Sequence, residues 1–166
     1  MKLANGFSLI ELCITIALFA LIATITFPSI WFLRRQQVVS EVDKLFSVFS
    51  YLQQAAIASN KDLVLQFDSQ NNSYSFESSK IKLSEQTKFS IKQDLKGPPS
   101  SPVNTLTKPI TFMNNQVVFY ADGKMQPGTV YLTDSKKHYL YAITIPISQV
   151  SLIRKYKYIN KWILYE

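Results

Sequence analysis

One carboxylate lies inside the longest apolar stretch of the chain. Residues 7–33 carry a single charged side chain, Glu11, and the 22 residues from Leu12 to Leu33 carry none. A carboxylate in an apolar helix is costly, and it usually marks a function or a charged partner. The chemistry that it offers is pairing with an amine. The plainer alternative is that Glu11, so close to the start of the chain, stays hydrated at a membrane surface.

A second group with binding chemistry lies in residues 136–166, where six basic side chains accompany one acid, Glu166. Tyr156, Tyr158 and Trp162 are interleaved with them. Cations beside aromatic rings suit a phosphate backbone and stacked bases. The simpler interpretation, which we favour, is an edge strand kept soluble by its lysines. The candidate nucleic-acid contacts are Arg154, Lys155, Lys157 and Lys161.

No set of residues indicates catalysis. The motifs of phosphate loops, dinucleotide folds, nucleophile elbows and zinc helices are absent. Cys13 is the sole cysteine, so no internal disulfide can form, and within the apolar segment it is expected to act as a small hydrophobe. His138 is the sole histidine, which excludes a histidine-rich metal site. We therefore predict that the protein is not an enzyme and that it uses no cofactor and no metal.

The apolar segment has the length of a membrane span. As a helix, residues 7–33 would extend roughly 40 Å, which exceeds the roughly 30 Å of a bilayer core. A secretory signal has a shorter apolar region, of about 7 to 15 residues, that ends at a small-residue cleavage site. Here the apolar run continues into Trp31, Phe32 and Leu33 before Arg34. We expect a transmembrane helix over residues 7–33.

The residues around Glu11 carry a more specific signal. The heptapeptide GFSLIEL at 6–12 resembles the processing signal of type IV pilins and of type II secretion pseudopilins. The resemblance implies a leader over residues 1–6, cleavage after Gly6 by prepilin peptidase, and methylation of the new N-terminal Phe7. It also implies that Glu11 supports filament assembly by meeting the N-terminal amine of another subunit.

The same resemblance implies a topology and partners. Pro28 stands where the family has a helix-kinking proline, and it is expected to contribute to filament assembly. The partners would be other pilins, the prepilin peptidase and the inner-membrane assembly platform. The globular part would lie outside the cytoplasm, first at the inner membrane and then in the pilus or pseudopilus. Counting basic residues on both sides of the span favours the opposite orientation, but the leader motif is the more specific signal.

An amphipathic pattern follows the apolar segment. Apolar residues recur at steps of three and four, which predicts that residues 34–60 continue the helix and end near Ser59 and Asn60. We expect this half to pack on its own globular domain, because the pattern is too short for a stable coiled coil with a partner. The stripe comprises Val38, Val42, Leu45, Phe49, Leu52 and Ala56.

Residues 61–166 change to short alternating runs, which predict a β-rich domain. A long helix followed by an antiparallel sheet is an α+β fold, of the pilin-like kind. The Gly-Pro-rich residues 97–102 must form a loop. Strands are predicted over 63–67, 73–76, 81–83, 89–91, 110–113, 116–120, 129–133, 139–145, 149–153 and 162–165.

Three segments of the β-rich domain, 118–123, 128–132 and 143–145, resemble the H-type minor pseudopilins and the FimT-like minor pilins. Pro146 to Gln149 depart from that pattern, which has a glycine-containing turn there. We predict a structural minor pilin or pseudopilin of a type II secretion or type IV pilus-like filament. The alternative is a DNA-binding minor pilin of a DNA-uptake pilus that uses the basic, aromatic C-terminal region.

Overall fold

The chain divides into two compact units, Met1–Arg34 and Arg35–Glu166, and each is considered by itself. The computed structural model describes residues 8–26, 29–92, 94–99, 105–147 and 152–165, and it describes no side chain within 25–34.

Two helices precede the strands. They are α1 (Leu9–Thr26) and α2 (Ser29–Ser59). The end of α2 is where the sequence predicted it, because Asn60 adopts a left-handed conformation with φ of 51°. The N–H of Lys61 reaches back to the carbonyl of Ala56 at 3.2 Å and thereby satisfies one of the last helical acceptors.

Nine strands follow the helices in the described part of the chain. They are β1 (Leu63–Asp68), β2 (Ser73–Phe76), β3 (Ser79–Lys82), β4 (Thr87–Phe89), β5 (Gln116–Phe119), β6 (Gly128–Asp134), β7 (Leu140–Ile145), β8 (Arg154–Tyr158) and β9 (Trp162–Leu164).

The strands form two antiparallel sheets. The first has the order β3-β2-β1-β5, and the second has the order β4-β6-β7-β8-β9. The hairpin of β1 and β2 lies where alternating residues predicted it, with Leu65 opposite Phe76 and Asp68 opposite Ser73. The α+β class is therefore confirmed.

The predicted stripe of α2 forms the centre of the core, and all six of its residues are fully buried. Phe49 lies at the centre of an aromatic group, with ring centroids 6.2 Å from Phe67, 6.3 Å from Phe112 and 5.7 Å from Phe119. The same cluster takes in Val130 of β6, so it joins α2 to both sheets.

The second sheet is buried on both faces at its middle strands. In β6, Val130 and Leu132 belong to the cluster that contains α2, whereas Tyr131 packs in a second cluster with Leu106 and Tyr156. Accordingly, β7 reads LYAITI without a strict alternation, and six of the seven residues of β6 are buried.

The predicted strand over 110–113 is wrong. Ile110 makes one isolated bridge with Val130, and a 3₁₀ turn over Met113–Asn115 follows. Asn114 and Asn115 both have φ of 54°, a conformation that asparagine tolerates and an extended strand does not use.

The predicted strand over 149–153 is also wrong at the two of its residues that the structure describes. Leu152 and Ile153 are not in a strand, and residues 148–151 lie outside the described part. The strand begins instead at Arg154. The favoured interpretation of this basic, aromatic region was an edge strand, but β8 lies inside the sheet, between β7 and β9.

Candidate assembly and interaction sites

Glu11 caps the first helix in this structure. Its carboxylate Oε2 accepts a hydrogen bond from the backbone N–H of Ser8 at 3.0 Å. Ser8 Oγ in turn accepts from the N–H of Ile10 at 3.3 Å. This reciprocal pair is a capping box, in which a serine and a glutamate three residues later satisfy free helix donors. The spacing Ser8-x-x-Glu11 is the sequence signature of such a cap and was not predicted as one.

The helix that Glu11 caps exposes apolar side chains on all sides. A helix that is hydrophobic all round belongs in a protein interior, an assembly or a membrane. The exposed large residues are Leu9, Ile10, Leu12, Ile14, Ile16, Leu18, Phe19, Leu21 and Ile22.

Within the described residues, no helix meets the length and hydropathy expected of a membrane span. The predicted processing residues Gly6 and Phe7 lie outside the described part of the chain, as does Pro28 with its expected kink. Their roles stay predictions.

The four candidate nucleic-acid contacts do not share one surface. Lys155 turns towards α2, where its Nζ donates to Asp43 Oδ1 at 2.9 Å. The Nζ also lies 4.6 Å from the ring centroid of Phe46 and 5.4 Å from that of Tyr165. With its side chain only 13% exposed, Lys155 serves the contact between β8 and α2.

Arg154 and Lys157 lie on different faces of β8, and Lys161 lies beyond its end. Successive side chains of a strand alternate between faces, so Arg154 lies on the face opposite that of Lys155 and Lys157. Lys157 stands opposite Tyr141 of β7, and its pKa is lowered by burial and by the nearby Arg35. Lys161 follows β8 in the turn to β9. Nucleic-acid binding gains no support from this arrangement and stays a prediction.

Two carboxylates, Glu41 and Asp134, are buried although the sequence did not predict it. Glu41 is 6% exposed although it lies on α2, and its Oε1 accepts from Lys44 Nζ at 2.9 Å, one helical turn away. Burial, with a smaller contribution from Glu41, raises the pKa of Tyr74 to about 12. An open groove beside this pair is lined by Val39, Tyr74 and Ile81 among others. The pair is internally satisfied, which indicates a structural role.

The described residues contain no group of three or more side chains that could hold a metal ion. His138 lies beside the turn between β6 and β7, with Nδ1 3.6 Å from Asp134 Oδ2. Asp134 organises that turn by accepting from the N–H of Tyr139 at 2.8 Å. Asp134 and His138 thus both belong to the turn between β6 and β7.

Residues 41–147, more than half of the chain, match the family of the type II transport protein GspH. The chain belongs to the GspH family. The predicted resemblance to type II secretion pseudopilins is thus confirmed, and the function that goes with it is that of a structural minor pseudopilin. No curated protein matches the sequence significantly.

A solved structure supports the fold. The chain is similar to the minor pseudopilin EpsH from the Type 2 Secretion System of Vibrio cholerae, with a TM-score of 0.50 at 12% identity. The similarity covers 72% of this chain and 95% of that one. At this identity the likeness concerns the pilin-like fold, with its long helix packed on antiparallel sheets.

The GspH match includes the residues that carried the resemblance to H-type minor pseudopilins, whereas the heptapeptide at 6–12 lies outside it. Residues 118–119 end β5, and the turn that follows has Gly123 at φ of 83°. Asp122 Oδ1 accepts from the N–H of Lys124 at 3.0 Å, as expected of an Asp-Gly turn. The pKa of Asp122 is lowered, first by its hydrogen bond with the Lys124 side chain. Pro146 and Ile147 end the match, so the departure from the expected glycine turn does not remove the chain from the GspH family.

Proposed function

We propose that the protein is an inner-membrane-anchored minor pseudopilin of a type II secretion filament, with its anchor formed by residues 7–33. The observation that carries the proposal is the apolar surface of α1, whose large side chains are more than half exposed from Leu9 to Ile22. Such a surface needs lipid or neighbouring helices, and a subunit that leaves the membrane for a filament exchanges one for the other. The proposed role is structural, without catalysis.

The processing steps belong to the same proposal. Prepilin peptidase cuts after Gly6, Phe7 is methylated, and the assembly platform takes up the subunit with its β-rich domain outside the cytoplasm. The glycine favours cleavage because it leaves the backbone open to the protease.

The decisive measurement is the intact mass and N-terminal sequence of the protein extracted from its host's membrane. We expect a chain that begins at methylated Phe7. Gly6→Leu should block cleavage, whereas Ala4→Leu, a change of similar size within the leader, should leave it intact. A wild-type chain that begins at Met1 despite an active peptidase would refute the proposal.

The role of Glu11 in assembly can be separated from its role as a helix cap. Glu11→Gln keeps an acceptor for the Ser8 N–H but removes the charge, whereas Glu11→Ala removes both. If Glu11 pairs with an amine of another subunit, both variants should be cleaved normally and should fail to co-purify with the other pseudopilins. Normal assembly of Glu11→Gln would show that the cap, not the charge, is what assembly requires.

A further inference from the structure

The second sheet ends at β9 in the part of the chain that the structure describes. β9 pairs with β8 on one side, with Tyr156 opposite Leu164 and Tyr158 opposite Trp162. In the described strand order no strand follows on its other side. An open edge presents a row of backbone donors and acceptors that can pair with another strand.

The register shows which backbone groups face outward. The N–H of Tyr165 donates to the carbonyl of Lys155 at 2.8 Å, so Tyr165 faces β8. In an antiparallel ladder the residues of one strand face the partner alternately. Ile163 therefore also turns its backbone groups to β8, and Trp162 and Leu164 turn theirs to the open edge.

An apolar groove accompanies this edge. It has a volume of about 470 Å³ and lies where β8 and β9 meet α2. Leu164 is 55% exposed, and Leu152 is 37% exposed. A strand that adds to an edge gains affinity from main-chain hydrogen bonds and specificity from pockets for its alternate side chains. The apolar lining comprises Phe46, Leu152, Ile153, Leu164 and Tyr165.

The charges near the open edge of β9 indicate which kind of partner strand could bind there. Arg154 lines the groove, and Lys161, immediately before β9, is exposed as well. Asp43, which pairs with Lys155, does not line the groove. A second copy of this chain, with a net charge of +7, would bring further cations to the same edge. Like charges repel copies, and an acidic strand is attracted.

We propose that β9 is a docking edge for an extended, acidic segment of a different protein, one of whose apolar side chains enters the groove at Leu164. Leu164 belongs both to the open edge and to the lining of the groove, Arg154 also lines the groove, and Lys161 immediately precedes the edge strand. These two cations repel further copies of this cationic chain without hindering a strand of opposite charge. The inference rests on the position and charge of the edge and does not require the proposed anchoring or processing.

The test is site-specific photo-cross-linking of the full-length chain in its native host. Benzoylphenylalanine replaces Leu164 in one strain and Ile163 in another, and it replaces Val64 as a control. Val64 is 42% exposed but lies on β1, between β2 and β5, so it offers no open edge. We expect the two edge positions, and not Val64, to cross-link to one protein whose captured peptide, identified by mass spectrometry, carries net negative charge.

A charge-reversed variant completes the test. Arg154→Glu with Lys161→Glu should lower the cross-linking yield about fivefold or more, because two attractive charges become repulsive. Cross-linking to a second copy, to a basic segment, to lipid or to nothing at both edge positions would overturn the proposal. So would a yield that the charge reversal leaves unchanged. Processing of the chain and secretion are measured in the same cells. Loss of cross-linking with normal processing and secretion would then contradict the docking proposal alone and leave the proposed function standing.

Discussion

At the scale of single residues, Glu11 has a hydrogen-bond partner within its own helix turn. Its hydrogen bond to the Ser8 N–H stabilises the first turn of α1, where a negative charge is also favoured by the helix dipole. The free-energy cost of removing a carboxylate from water is smaller when the carboxylate keeps such a hydrogen bond than when it is unpaired. The proposed pairing with an amine must therefore compete with an existing contact.

Gly128 illustrates a constraint that only packing reveals. A methyl group added there would clash with the ring of Phe112. We expect Gly128→Ala to lower the free energy of unfolding by about 1–3 kcal/mol, the usual cost of overpacking a core. Urea unfolding measures this. Phe112→Leu makes room, so the double variant should lose less than the sum of the two single losses; full additivity would contradict the clash.

Buried tyrosines give a pH dependence at the same scale. Burial raises the pKa of Tyr131 to about 12, whereas an ordinary tyrosine titrates near 10. The folded state thus holds this proton more tightly, so its contribution to stability is complete below pH 10 and is lost as the pH rises towards 12. Tyr131→Phe should make the alkaline fall in unfolding free energy shallower. Tyr51→Phe, at a side chain 57% exposed, should leave the fall as in the wild type.

At the scale of elements, α2 and β8 differ in how far the sequence could predict them. The stripe of α2 repeats at the helical period and faces one core, so periodicity alone identified its buried side. In β8, Tyr156 is buried on one face while Lys155 and Lys157 lie partly buried on the other. Lysines can cover apolar surface with their stems, which made a structural strand resemble a binding surface in the sequence.

The packing of α2 leads to a direct comparison. Phe49→Ala removes the ring that packs against Phe67, Phe112 and Phe119 and leaves a cavity. It should therefore lower the free energy of unfolding by about 3–5 kcal/mol. Tyr51→Ala, on the exposed side of the same helix, should cost less than about 1 kcal/mol. Thermal or urea unfolding of the two variants measures the difference. Equal losses would mean that α2 does not pack on the sheets through this stripe.

At the scale of the whole molecule, the unit Arg35–Glu166 contains its own core. We expect deletion of residues 1–33 to give a soluble, folded monomer. The deletion removes one cation, Lys2, and one acid, Glu11, so the net charge of +7 that favours solubility is unchanged. Size-exclusion chromatography and a cooperative thermal transition test this. An insoluble or non-cooperative fragment would mean that the domain needs a partner.

The sequence by itself determined the long apolar segment, the amphipathic helix that follows, the α+β class and the resemblance that the GspH match confirmed. These follow from local patterns, in which period and motif are read along a continuous stretch of chain. Tertiary structure decided that Ile110 forms a lone bridge, that RKYKY lies inside a sheet and not at its edge, and that Lys155 pairs with Asp43, 112 residues away in sequence. Such contacts depend on which distant residues share a face, and no local pattern records that pairing.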